Sequence, residues 1–393
     1  MQRAVLAAAL ARGRSILHNP SYAEDCLASL GVAASLGAEL QRESEAVIIK
    51  GTRNPQSSSI DCHESGLCLR MTCAICALFE QEFIISGQGS LMDRPLNMIE
   101  EPLRDLGAYC RTNRGKPPAV IRGPLTGGKI KLDASISSQF LSGLLMALPL
   151  CKTDSQISVT GLKSKPYVLM TLEILKAFGL QIDAGPDLLS FFIPGRQDYQ
   201  AQSYLIEGDW SSAAAFLVAG AIAGSLEVQG LRADSTQADK AIVDVLRQAG
   251  ALLTQQGPAL QVQNASLKAF TFDAGDCPDL FPVLAALACN CQGQSIIKGA
   301  SRLLYKESNR AEALCLEFSK LGGRISCCED SLQVTGTKLR GGAINCHNDH
   351  RIAMACALAG LTSEQGVTID HPEVVQKSYP DFFKDLQSIM VQL

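Results

Sequence analysis

Apolar positions along this chain recur in a fixed order. A helical pattern stops at a glycine, and two short period-two alternations follow with a turn between them. The stops read "SLGAEL", "DLGAYC", "AFGLQI", "QAGALL" and "KLGGRI". Their glycines, Gly37, Gly107, Gly179, Gly250 and Gly322, are spaced by 70, 72, 71 and 72 residues. Glycine at such a point suits the left-handed backbone that ends a helix. Alternation such as "ISCCEDSLQVTG" predicts a β-hairpin. A shared period of this length predicts one supersecondary unit copied several times. Each period holds a second helical stretch that is apolar almost all round: Met71 to Phe79, Ser138 to Ala147, Ser211 to Ala223, Asp279 to Cys289 and Asp349 to Ala359. Helices of that kind are buried, here wrapped by sheet. Each unit therefore reads strand–helix–strand–helix–hairpin, and the fold class is α/β.

The phase of the repeat carries a further expectation. A sixth glycine stop falls due at the last residue, so the final helix, "YPDFFKDLQSIM", has no hairpin after it. At the other end "QRAVLAAALARG" predicts a helix capped by Gly13, with no strand before it. One hairpin with its flanks, about 20–30 residues, placed upstream of Met1 and paired into the C-terminal half, would complete both ends. Without it the last helix is expected to lack cover near Phe382 and Phe383.

Composition narrows the class. Apolar residues are 47% of the chain and charged residues 19%, enough for sizeable cores and too apolar for disorder. A net charge of −4 leaves no nucleic-acid footprint, so any anion site must be a local basic cluster. The longest other apolar run, Ala213 to Gly224, is too short to span a bilayer. Fifteen scattered cysteines, an odd number, fit a reducing cytoplasm better than a disulfide scaffold. Cys73 and Cys76 form a CxxC with Cys62 and Cys68 upstream. No second CxxC or His pair answers it, so a buried helix face is the better reading than zinc.

Basic residues fall in loops beside turn or cap residues, most of them just before or at the first turn of a predicted helix: Arg70, Arg94, Lys306, Arg310, Arg351 and Lys377. Helix N-termini and guanidinium groups both favour phosphate and carboxylate. Corresponding placement in a repeated unit points to one shared anionic pocket, in which Arg94, Arg310, Arg351 and Lys377 converge. Ser137 and Ser138 offer hydroxyls at another helix start, where Ser138 could equally act as a plain N-cap. Asp279 reads either as an N-cap or as a catalytic carboxylate. Glu307 reads either as a local ion-pair partner or as a catalytic carboxylate. There is no GxGxxG after a strand, no P-loop, no HExxH and no GxSxG, which disfavours several large enzyme classes.

The segments "ISSQFLSGLLMALPL", "GLKSKPYVLMTLEIL", "EGDWSSAAAFLVAGAI", "LLYKESNRAEAL", "NDHRIAMACALAG" and "VVQKSYPDFF" resemble, in order, the motifs of the 5-enolpyruvylshikimate-3-phosphate synthase family of enolpyruvyl transferases. The resemblance runs along nearly the whole chain. It implies a two-domain fold, each domain a threefold repeat of βαβαββ units with buried helices. The domains would be residues 1–206, on the shikimate 3-phosphate side, and 207–393, lacking strands that residues upstream of Met1 normally supply.

The implied reaction joins shikimate 3-phosphate and phosphoenolpyruvate. The 5-hydroxyl attacks C2 of the enol, and phosphate then leaves the tetrahedral ketal. No metal or redox cofactor is implied, and neither nucleic acid nor membrane is a partner. The chain would act as a cytoplasmic monomer. By resemblance, Ser137, Ser138 and Ser164 hold the shikimate phosphate and Arg3 its carboxylate. Gln139 lies between the substrates and Tyr167 beside the shikimate ring. Lys306 binds the shikimate side. Gly66, Arg94, Arg310, Arg351 and Lys377 surround phosphoenolpyruvate. Asp279 is the base near the 5-hydroxyl and Glu307 the acid near the methylene carbon. Two other readings stay open: a non-catalytic relative that binds anionic metabolites, and the sister enzyme that acts on UDP-N-acetylglucosamine.

Overall fold

The five stop glycines all take left-handed backbone, with φ between 84° and 94°. Each stands within two residues of the end of an amphipathic helix: Glu24–Ser35, Glu100–Asp105, Lys165–Ala177, Ile242–Ala249 and Arg310–Lys320. A side chain with a Cβ is strained at such an angle, which is why glycine ends these helices. The computed structural model describes residues 1–304 and 306–390. The chain divides into two units, Met1–Ile206 and Glu207–Leu393.

The first unit has three four-stranded sheets built to one plan. Strand Ser59–Asp61 runs parallel to Glu82–Ser86, which pairs antiparallel with Lys116–Arg122, which in turn pairs with Tyr109–Asn113. Strand Gly128–Asp133 stands in the same relation to Ser155–Thr160, Ser190–Ile193 and Asp183–Ala184. In the remaining sheet Gly13–His18 pairs with Ala46–Gly51 and its hairpin partner Glu39–Arg42, but its parallel neighbour is Ser203–Leu205, from the far end of the unit. In the second unit, Thr271–Asp273, Gln294–Lys298, Ser331–Thr335 and Arg324–Cys328 repeat the four-stranded plan. Among the described residues, the sheet of Ser225–Val228 has three strands and that of Gly342–Ile344 with Val367–Ile369 has two.

The apolar stretches form the inner helices: Gln2–Leu10, Gly66–Cys76 and Gln139–Ala147 in the first unit, and Trp210–Ala223, Phe281–Cys289 and His350–Thr362 in the second. Glycine lets two of them close up. A Cβ on Gly143 would lie 2.8 Å from the Cα of Met71 and 3.0 Å from the carbonyl oxygen of Arg70. The first helix stops earlier than expected: Ala11 is its C-cap, in extended conformation, and Gly13 begins the following strand. Asp279 does not cap a helix either. It lies in the 3-10 turn Pro278–Leu280 that leads into Phe281–Cys289. Phe382 is fully buried, against Phe216 and Tyr379, so the last helix has apolar cover at that residue. Cys62, Cys68, Cys73 and Cys76 are buried, and burial pushes the Cys73 and Cys76 thiols well up. Among the described residues no group of His, Cys, Asp and Glu is arranged to hold a metal. No helix among them is long and apolar enough to cross a membrane.

Candidate active site

In the first unit the candidate residues gather where inner helices begin. Gly66 opens its helix with two guanidinium groups over it. A Cβ there would lie 3.1 Å from Arg70 Nη1 and 3.2 Å from Arg94 Nη1. Arg70 is buried and donates to neutral oxygens. Nη1 donates to Gln139 Oε1 at 2.7 Å and Nη2 to the Pro95 carbonyl at 3.0 Å. Its Nε is buried with no hydrogen-bond partner among the described residues. Burial, then the like charge of Arg94, pushes the Arg70 guanidinium down to about 10. Like charges held together away from water make a place that favours an anion.

Gln139 joins this pair to the serines. Its backbone N–H donates to Ser137 Oγ at 3.2 Å, so the capping bond goes to Ser137. Ser138 is buried at the N-cap position, and its hydroxyl makes no capping bond. Ser164 opens Lys165–Ala177 with φ 56°, also without a capping bond. Left-handed backbone costs a residue with a Cβ about 1 kcal/mol or more, and such strain concentrates at functional sites. Arg3, buried in the first helix, donates from Nε to Thr171 Oγ1 at 2.8 Å and from Nη2 to the Tyr167 carbonyl at 3.3 Å. Burial pushes it down to about 10. Thr171 Oγ1 donates to Ser142 Oγ at 2.9 Å, tying the Ser164 and Ser138 helices together. A polar thread thus links Arg3 and Tyr167 to the Gln139 helix, and through Gln139 to Arg70 and Gly66.

In the second unit the candidates form a knot of charge around Arg310, which is 1% exposed. Its Nε donates to Asp349 Oδ2 at 2.8 Å, its Nη1 to Asp279 Oδ1 at 2.7 Å and its Nη2 to Glu307 Oε2 at 2.6 Å. Lys306 Nζ donates to the same Asp279 oxygen at 3.1 Å. Burial works against ionising Asp279, but Lys306, Arg310 and Arg351 outweigh it and hold its carboxyl well below the usual range. Glu307 does make the ion pair that its spacing suggested, and Asp279 faces cations. Asp349 is fully buried. It caps His350–Thr362 by accepting from the Arg351 N–H at 2.9 Å.

Arg351 reaches the Ser211 carbonyl at 3.4 Å, and its Nε is buried with no hydrogen-bond partner among the described residues. Ser211 Oγ donates to the buried Asp239, whose carboxyl is pushed up to about 6 by burial and then by the charge of Asp279. His350, beside them, is pushed down to about 3 by burial and by the Arg351 charge, so its ring is neutral. Lys377 is buried at the end of the turn Pro372–Lys377, which packs on the His350 helix. Arg3, Gly66, Arg94, Ser137, Ser138, Gln139, Ser164 and Tyr167 thus belong to the first unit, and Asp279, Lys306, Glu307, Arg310, Arg351 and Lys377 to the second.

Sequence reasoning counted Arg70 among the cations of a shared anionic pocket but assigned it to neither substrate, and it stands inside the helix Gly66–Cys76 rather than before it. The same reasoning passed over Thr171, Asp239 and Asp349. Only Asp349 had a signal, an aspartate directly before an apolar helix.

The family model for EPSP synthase (3-phosphoshikimate 1-carboxyvinyltransferase) matches residues 1–386. The 3-phosphoshikimate 1-carboxyvinyltransferase of Methanosarcina acetivorans is 39% identical over all of this chain and 93% of its own length. That of Clostridium kluyveri is 37% identical over 98% of this chain and 92% of its own length. Among solved structures, an EPSP synthase from Acinetobacter baumannii superposes with a TM-score of 0.82 at 25% identity, over 98% of this chain and 92% of that one. With a family model matched over almost the whole chain and near-complete coverage of the relatives on both sides, the chain belongs to the EPSP synthase family.

Proposed function

We propose that this chain transfers the enolpyruvyl group of phosphoenolpyruvate to the 5-hydroxyl of shikimate 3-phosphate, releasing phosphate. The family supplies the reaction. The observation that carries the reading is the pair of buried guanidiniums, Arg3 and Arg70, each of which donates to neutral oxygens. Each substrate has a carboxylate and a phosphate, so together they bring roughly five to six negative charges. An acidic chain accommodates that load only by focusing its cations.

The shikimate phosphate is received at Ser137, Ser138 and Ser164, and its carboxylate at Arg3, with Tyr167 beside the ring. Gly66, Arg70 and Arg94 receive phosphoenolpyruvate from the first unit, with Gln139 between the two substrates. Arg310, Arg351, Lys377 and Lys306 supply the cations of the second. The 5-hydroxyl oxygen bonds to C2 of the enol as its proton passes to Asp279, and Glu307 delivers a proton to C3. Loss of phosphate from C2 and of a proton from C3 then regenerates the double bond. Asp279 is held ionised by its cations, which is the state a base requires. Arg310 begins with its donors on carboxylates, so substrate must draw part of that charge away. Fifteen free thiols support a reducing cytoplasm as the working compartment, with the chain acting as a monomer.

Phosphate release from phosphoenolpyruvate, with and without shikimate 3-phosphate, tests the reading. Release that depends on shikimate 3-phosphate is expected. Binding of both ligands with no release would leave a non-catalytic relative, and release with UDP-N-acetylglucosamine would mark the sister activity.

A further inference from the structure

Residues 345–348 join the strand Gly342–Ile344 to the helix His350–Thr362, directly ahead of Asp349 and Arg351. His347 and Asn348 both take left-handed backbone, with φ 55° and 52°. Such backbone is disfavoured for residues with a Cβ and persists only where the surroundings hold it. Here the hold comes from Glu317, a fully buried carboxylate on the helix Arg310–Lys320. Its Oε2 accepts from the Asn345 N–H at 3.0 Å, and its Oε1 from His347 Nε2 at 2.7 Å. The Asn345 side chain accepts in turn from the His347 N–H at 2.6 Å. Lys320, on the same helix as Glu317, donates to both carboxylate oxygens, at 2.8 and 2.9 Å. Burial opposes the charge on Glu317, but the bonds from Lys320, His347 and Asn345 outweigh it and hold its carboxyl below the usual range. An ionised acid only accepts, so the proton of the ring bond is on His347 Nε2. Arg310 stands seven residues before Glu317, about two turns back on the same face, and grips Asp349. One helix thus fixes the bend at both ends, Glu317 at Asn345 and His347, Arg310 at Asp349.

We propose that Glu317 is a positioning residue for the transfer reaction. It holds the left-handed bend through Asn345 and His347, and the bend sets Asp349 and, through its cap, Arg351. The proposal rests on the reading in which Arg351 receives phosphoenolpyruvate. Asp349 is the link, since it accepts from the Arg351 N–H and also shares the Arg310 guanidinium. A shift of the bend therefore moves two of the cations assigned to phosphoenolpyruvate. The serines and Arg3, assigned to shikimate 3-phosphate, belong to the first unit.

Steady-state phosphate release and amide hydrogen exchange, both on the full chain, test this together. His347→Ala removes the ring bond and leaves Glu317 paired with Lys320 and the Asn345 N–H. Thermal melting confirms that it is folded. Its KM for phosphoenolpyruvate should rise about tenfold or more, as misplaced binding groups entail. Its KM for shikimate 3-phosphate should stay within about twofold of the parent, and kcat should change less than the first KM. Peptides covering residues 345–353 should exchange their amide protons faster by about tenfold or more, read by mass spectrometry. Glu317→Gln should behave alike, and His347→Ala carries the test should Glu317→Gln not fold. Lys320→Met takes the cation from Glu317 without touching the bend. It should lower the melting temperature and leave KM and exchange at parental values. An unchanged KM for phosphoenolpyruvate or unchanged exchange in folded His347→Ala, or equal changes in Lys320→Met, would each overturn the proposal. A parent that releases no phosphate with shikimate 3-phosphate would overturn the functional reading instead, and the exchange result alone then decides whether Glu317 holds the bend.

Discussion

Arg310 shows how far one residue can organise a site. Three carboxylates share its guanidinium, and two of them, Asp349 and Glu307, are 0% and 11% exposed. Arg310→Met would take the shared guanidinium away from those acids. Breaking a buried pair by removing one partner typically costs about 3–5 kcal/mol, and urea unfolding should show a loss of that order. Asp279→Asn and Glu307→Gln leave the cation in place and act on proton transfer instead. Each should lower turnover by about 10²–10⁴-fold while shikimate 3-phosphate binding changes little; near-parental phosphate release from either variant would remove that residue from the chemistry. Asp239 titrates with the opposite sense to its neighbours. Its carboxyl stands at about 6 in the folded chain, above the ordinary aspartate value near 4. Between those limits the folded state holds a proton that the unfolded chain has lost, so this group's contribution to stability falls as pH rises through that window and stays low above it. Asp239→Asn cannot titrate. Its stability relative to the parent should therefore rise from pH 4 to pH 7, by up to about 2–3 kcal/mol in paired urea melts. The acids and bases of this site were legible as residue types beside helix starts, and Asp279, Glu307 and Arg310 do meet. Their partnership was not legible, because Asp349 comes from 39 residues further on and nothing local marks it as the third carboxylate.

Among the elements, the inner helices of the first unit approach closely only because glycine stands at the crossing. Gly143→Ala would set a methyl group 2.8 Å from the Cα of Met71, a backbone atom that cannot swing aside. Overpacking of this kind costs about 1–3 kcal/mol, and the melting temperature should drop accordingly. The same shift would carry Gln139 away from Arg70, so the KM for phosphoenolpyruvate should rise in the same variant. Gly66→Ala makes the contrast. Its new methyl group meets the mobile ends of Arg70 and Arg94 at 3.1 and 3.2 Å. Stability should stay within about 1 kcal/mol of the parent, since flexible side chains can give way, while phosphoenolpyruvate affinity falls. An unchanged KM would mean that the two guanidiniums do not work at Gly66. Most elements could be read from the chain because a helix apolar on every side and a glycine at its end are local signals. The inner helices Gln139–Ala147 and Trp210–Ala223 begin within one residue of the predicted starts. The end of the first helix was misplaced, since Ala11 turns extended two residues before the glycine that would have marked the stop. The left-handed Ser164 and the crossing at Gly143 depend on neighbours distant in sequence, which periodicity does not record.

At the scale of the whole molecule, the division at Ile206 places an unusual strand at the edge of the first unit. Ser203–Leu205 lies beside Gly13–His18, with Ile16 opposite Ser203. Parallel neighbours usually come from adjacent sequence joined by one crossover, as they do in the other two sheets of that unit. This pairing spans almost the entire unit and has no local signal in the sequence. It bears on how the protein is made. A ribosome adds roughly 5–20 residues per second, so about 10–40 s separate the synthesis of the two strands. During that interval the nascent chain carries Gly13–His18 with an open parallel edge, and open edges recruit other chains. Arrested nascent chains ending near residue 190 should therefore remain sensitive to protease and bind chaperone, whereas chains long enough to expose Leu205 outside the exit tunnel should become resistant in a single step. Gradual resistance building up sheet by sheet would show that the late strand is an ornament rather than the latch of the first unit.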